Sequence, residues 1–137
     1  MAKTETKAVM EAAPKPIPVE REAEFIERYA NNVRYESTVY DLKLIFGQSD
    51  LGTGAELIRQ HSAVTIPWAL VKLMVYYLRT NVGVHELYNG KVLLPPQQIP
   101  FPFPPPTAEV AAADPKSQQA FVLVKELRDE FLSEISD

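Results

Sequence analysis

Apolar and polar side chains alternate from Asn31 onward. Val33, Tyr35 and Ser37 fall on one face of a predicted strand, and Arg34, Glu36 and Thr38 on the other. After a bend near Thr38–Val39, Leu42, Leu44 and Phe46 share a face opposite Asp41, Lys43 and Ile45. This period of two predicts a pair of antiparallel strands with one buried side. Gly47 releases the second strand into "QSDLGTGAEL", a connector rich in turn residues. A third strand is expected in "RQHSAVTIP", with Ser62, Val64 and Ile66 alternating against His61, Ala63 and Thr65.

The period then lengthens. Pro67 is expected as the first helical residue, where its missing N–H costs nothing. "WALVKLMVYYLRTNVGVHELYNG" predicts a helix of roughly 21 residues. Leu70, Leu73, Met74, Tyr77, Leu78 and Asn81 form its main stripe. Trp68, Val71, Val75 and Tyr76 lie off that stripe and are also apolar or aromatic. A helix apolar on most of its circumference needs cover on more than one side, and a single three-stranded sheet supplies only one. Gly83 weakens the helix, and Asn89-Gly90 is its expected stop.

Beyond lies "VLLPPQQIPFPFPPP", prone to polyproline II and punctuated by Phe101 and Phe103, then a plain linker over 107–113. Asp114-Pro115 reads as a cap and first residue for a C-terminal amphipathic helix. Ala120, Val124, Leu127, Phe131 and Ile135 form the stripe of that helix, flanked by Phe121, Arg128 and Leu132.

The expected fold class is therefore α+β. A small antiparallel sheet of about three strands packs against one long helix, followed by a Pro-rich spacer and a C-terminal amphipathic helix. The expected divisions are a flexible N-terminal tail over 1–24, an α+β core over 25–94, the spacer over 95–113 and the terminal helix over 114–137. A helical turn or two is allowed in "EREAEFIERYA".

Several short signatures resemble the bacterial domain-of-unknown-function family numbered 3467. They are "YANNVRYESTVYDLKLIFGQ", "AVTIPWALVK" and "LRTNVGVHELYNGKVLLPP". The matching positions are Tyr29, Ala30, Asn31, Ser37, Asp41, Leu42, Leu44, Phe46, Gly47, Pro67, Lys72, Leu78, Asn81, Val82, Glu86, Gly90 and Val92. The resemblance covers roughly residues 29–96 and implies a compact α+β module with no assigned activity. Leu70 stands where that family commonly has His, Val71 where it has Ala, and His85 where it has Tyr. If that common His does chemistry, this chain lacks it.

Composition narrows the chemistry. The chain has 137 residues, enough for one small domain with tails, and its 12 prolines are too many for an evenly compact one. With no cysteine there is no disulfide, thiolate nucleophile or Cys-bearing zinc site, which fits a reducing cytoplasm. The N-terminus lacks the apolar core of a signal peptide, and the apolar run around Trp68–Leu78 is broken by Lys72 and too short to span a membrane. A formal net charge of −4 argues against broad binding to nucleic acid.

Catalytic motifs fare no better. His85-Glu86 has no second His at zinc-protease spacing, and a site built on His61 and His85 needs scattered carboxylates. Gly52-Thr53-Gly54 lacks the rest of a phosphate-binding loop. Asp41 and Lys43 read as an ion pair or charged edge, and Asn31, Asn32 and Asn81 as backbone-bonding residues. Tyr76-Tyr77 reads as core or interface in preference to a base-stacking pair, since few Lys or Arg surround it. No catalytic, cofactor or metal residues are assigned.

The expected function is a non-enzymatic interaction module that forms a homo-oligomer, with a two-fold dimer favoured. Self-association is assigned to Ile45, Trp68, Val71, Val75 and Tyr76. Docking of a protein partner is assigned to Phe101, Phe103, Phe121, Val124, Leu127, Phe131 and Ile135. The alternatives are a dimeric DNA-associated regulator, for which strands 31–46 offer only Arg34 and Lys43, and an enzyme of unknown reaction.

Overall fold

The computed structural model describes residues 15–50 and 57–136. Most of the expected tail, and Gly52-Thr53-Gly54, lie outside the described residues. The chain divides into two compact units, Met1–Pro67 and Trp68–Asp137. The expected core of 25–94 spans both, with its strands in the first unit and its long helix in the second.

In the first unit, β1 (Asn32–Ser37), β2 (Asp41–Ser49) and β3 (Ile58–Pro67) form an antiparallel sheet in the order β1-β2-β3. Val33 pairs with Phe46 and Tyr35 with Leu44, while Leu44 pairs with Val64 and Leu42 with Ile66. This register puts the expected apolar residues of all three strands on one face. Ile66 is the buried hydrophobic side chain among the described residues, at 8 % exposure.

Side chains fix both ends of the β1–β2 hairpin. Thr38 Oγ1 accepts from the amides of Tyr40 and Asp41, each at 3.1 Å, and donates to Asp41 Oδ1 at 2.8 Å. At the other end the Asn31 amide group behaves like a peptide unit: its Oδ1 accepts from Ser49 N at 2.7 Å and its Nδ2 donates to Ser49 O at 3.4 Å. Asp41 is thus held by the turn. Lys43 meets Glu36 across the strands at 3.5 Å instead of pairing with Asp41. N-terminal to β1 the described chain forms neither helix nor strand and is mostly exposed, with one turn closed by Phe25 N to Glu22 O at 3.0 Å and Arg21 over the Phe25 ring.

The second unit is helical. α1 (Trp68–Asn89) begins one residue later than expected, because Pro67 still pairs with Asp41 as the last residue of β3. Gly90, at φ 87°, closes α1 by donating its N–H to Glu86 O at 3.0 Å, a left-handed position that favours glycine. A 3-10 turn, Pro96–Gln98, follows.

Residues 107–113 are not a plain linker. Thr107 Oγ1 accepts from Val110 N at 3.2 Å and caps α2 (Ala108–Ala113), an alanine-rich helix with Glu109 in its first turn. The cap and the high propensity of alanine outweigh the linker-like composition. α3 (Lys116–Ile135) follows, with Asp114 Oδ1 accepting from Lys116 N at 3.1 Å.

One expectation fails within α1. Its predicted main stripe is not a buried face, since Leu70, Leu73, Tyr77 and Leu78 are all exposed and Met74 is half-buried. Periodicity reports that a face is apolar, and what covers it is a separate matter of tertiary contact.

Candidate functional site

The sheet unit holds a cavity of about 540 Å³ lined by Ile26, Arg28, Ala30, Phe46, His61, Ser62 and Val64. His61 was expected on the face opposite Ser62. The register explains why it is not: Phe46 pairs with Ser62 but Gly47 with Gln60, so His61 is an extra residue on β3. Such a bulge suspends the alternation, and both side chains line the same cavity.

The pair has the geometry of a hydroxyl and a base, with Ser62 Oγ 2.7 Å from His61 Nδ1. His61 Nε2 lies 2.9 Å from Tyr29 O. A carbonyl only accepts, so Nε2 carries the ring hydrogen and donates it to Tyr29 O, while Nδ1 accepts from the Ser62 hydroxyl. The group orienting the imidazole is a backbone carbonyl, where a catalytic triad has a carboxylate. The arrangement ties residues 26–30 to the sheet.

In the helical unit, α1 and α3 face each other across an open cleft of about 500 Å³. Leu78, Val82, Gly83 and Glu86 line one side, and Leu127, Glu130, Phe131 and Glu134 the other. Arg79 reaches Glu134 at 3.8 Å. Opposite this cleft, α3 carries the beginning of the Pro-rich segment that follows α1. Leu93, Leu94 and Ile99 line a second cavity with Leu132 and Ile135, Arg128 Nε donates to Pro100 O at 3.0 Å, and Lys91 Nζ donates to Ser136 O at 2.8 Å. The start of the Pro-rich segment, residues 91–100, is therefore laid along α3. Glu86 anchors its start by accepting from Val92 N at 2.8 Å.

These contacts sort the predicted interaction residues. On α3, Phe121, Val124, Phe131 and Ile135 are half-buried and Leu127 is exposed. Phe103 is exposed and Phe101 almost wholly so. On α1, Trp68, Val75 and Tyr76 are exposed and Val71 is half-buried. Ile45 belongs to the sheet unit, half-buried on a face shared with Arg34, Glu36, Lys43 and Thr65.

Sequence reasoning underrated the far end of α1. Val84, Leu87 and Tyr88 are exposed, and the rings of Tyr76 and Tyr77 meet edge-on with centroids 5.2 Å apart. The signal was present in the unbroken apolar pattern, which continues past Gly83.

No described helix is long and apolar enough to cross a membrane, and the described residues hold no group of three or more potential metal ligands. Compared with known proteins, the chain matches no family model, no curated sequence and no solved structure.

Proposed function

We propose that the chain is a non-enzymatic interaction module that works as a homo-oligomer, most simply a two-fold dimer, with its C-terminal arm serving as a docking element. The observation that carries this reading is the exposure of α1. Trp68, Leu73, Val75, Tyr76, Tyr77, Leu78, Val82, Val84, Leu87 and Tyr88 are all exposed. Leu78 and Val82 belong to the α3 cleft, and the side of α1 away from it, with Leu73, Tyr76, Tyr77, Val84, Leu87 and Tyr88, presents roughly 700 Å² of apolar surface. A soluble monomer tolerates a patch of a few hundred Å², whereas a stable interface takes about 800 Å² from each partner. A second copy of the chain supplies a surface of the same character and size, which an isologous contact requires.

The resemblance to family 3467 fits this reading. Residues that carry it serve the backbone: Asn31 and Asp41 hold the ends of the β1–β2 hairpin, Asn81 donates to Tyr77 O, Glu86 accepts from Val92 N, and Gly90 closes α1. Motif residues employed in this way need no substrate to explain them.

Light scattering across micromolar concentrations tests the proposal. The expected mass is twice that of the chain, and a monomer throughout that range overturns it.

A further inference from the structure

We infer that the Pro-Phe strap of one copy, residues 100–106, lies across the tyrosine face of α1 in a second copy, reciprocally about the two-fold. The inference rests on the self-association proposed above and names the contact that makes it.

The strap is held ready for a partner. Arg128 pins Pro100, and Thr107 caps the helix that follows. Flanking torsions lie near polyproline II, with φ −66° and ψ 128° at Ile99 and φ −65° and ψ 159° at Thr107. Between these anchors Phe101, set between two prolines, is 91 % exposed. A segment fixed in its bound conformation loses little entropy on docking.

The complementary surface is on the same chain, out of the strap's own contacts. At 100° per residue, Leu73, Tyr77, Val84 and Tyr88 project from the side of α1 away from the α3 cleft. Tyr77 is 58 % exposed and Tyr88 80 %. Polyproline segments are recognised by aromatic-lined surfaces of this kind.

Polarity and length both match. Every residue of 100–106 except Phe101 and Phe103 is proline, so the strap offers carbonyl acceptors and few donors, and tyrosine hydroxyls are donors. Tyr77 and Tyr88 are separated by about 16 Å along the helix at 1.5 Å per residue. Residues 101–106 span about 15 Å at 3.1 Å per residue.

The absence of cysteine allows a direct test on the full chain. A Phe101→Cys chain, labelled with benzophenone-maleimide, is mixed in ¹⁴N and ¹⁵N forms and irradiated. Mixed-isotope crosslinks from position 101 to residues 68–89 are expected. In parallel, Phe101→Ser is expected to weaken dimerisation at least tenfold by sedimentation velocity, with an unchanged far-ultraviolet circular dichroism spectrum. Crosslinks confined to one isotope or landing outside 68–89 overturn the inference. So does an unchanged dimer constant in Phe101→Ser, which would mean that the α1 faces pair with each other directly. A monomeric unmodified chain overturns instead the self-association on which the inference rests.

Discussion

Ser62 donates its hydroxyl to Nδ1 of His61 at 2.7 Å although the two are consecutive residues of β3. Consecutive side chains of a regular strand point to opposite faces. Here the bulge opposite Phe46 and Gly47 turns both to one side, and the imidazole reaches on to the carbonyl of Tyr29. One extra residue thereby attaches the chain before β1 to the sheet.

The bulge also constrains its partner strand. A Cβ built on the buried Gly47 meets Arg59 O at 2.8 Å and Gln60 Cα at 3.1 Å, both backbone atoms that cannot rotate away. Gly47→Ala should therefore cost ~1–3 kcal/mol through local overpacking. Chemical denaturation checks this, with Ser62→Ala as a milder control that leaves the backbone approach intact.

Asn31 pairs with both backbone groups of Ser49. Asn31→Ala removes both bonds at an exposed position and should cost about 1 kcal/mol. Hydrogen exchange should locate the effect, with the Ser49 amide exchanging faster while amides near Ile66 keep their protection.

Arg79 and Glu134 form an ion pair at 3.8 Å with both side chains more than half exposed. Solvent screening and side-chain entropy limit such a pair, so a double-mutant cycle should give a coupling below about 1 kcal/mol. Phe131→Ala, which removes apolar lining from the same cleft, should lower the thermal midpoint more than either charge substitution.

Assembly and folding should separate by position. Tyr77→Ser is expected to raise the dimer dissociation constant about tenfold or more, as for an aromatic interface anchor. Ile45 is also expected in self-association, but it shares its face with Arg34, Glu36, Lys43 and Thr65. Ile45→Lys should therefore change that constant by no more than about twofold and act mainly on stability, and a rise as large as that of Tyr77→Ser would return Ile45 to the interface. Sedimentation velocity and thermal melts on the two variants read these effects independently.

Much of the local structure was legible in the sequence because it rests on near neighbours. The alternation of Val33 and Tyr35, and of Leu42, Leu44 and Phe46, marks two strands that pair in that register. Asn89-Gly90 ends α1, and Asp114 bonds the first turn of α3. α2 was missed because its six residues follow a proline run, although Thr107 and the alanines that follow carry its signal. The His61 bulge was beyond reach, since a bulge depends on how one strand is counted against another.

The sequence by itself determined that α1 is apolar around most of its circumference and that the strap is stiff, because periodicity and proline are properties of the local chain. Only the tertiary structure decided that the predicted stripe of α1 is exposed, that Ile99 and Pro100 are held against α3, and that Phe101 is left bare. Those outcomes depend on contacts between residues far apart in the chain, such as Arg128 with Pro100. A pattern of hydrophobicity shows which surfaces need cover, and packing decides which of them the chain covers for itself.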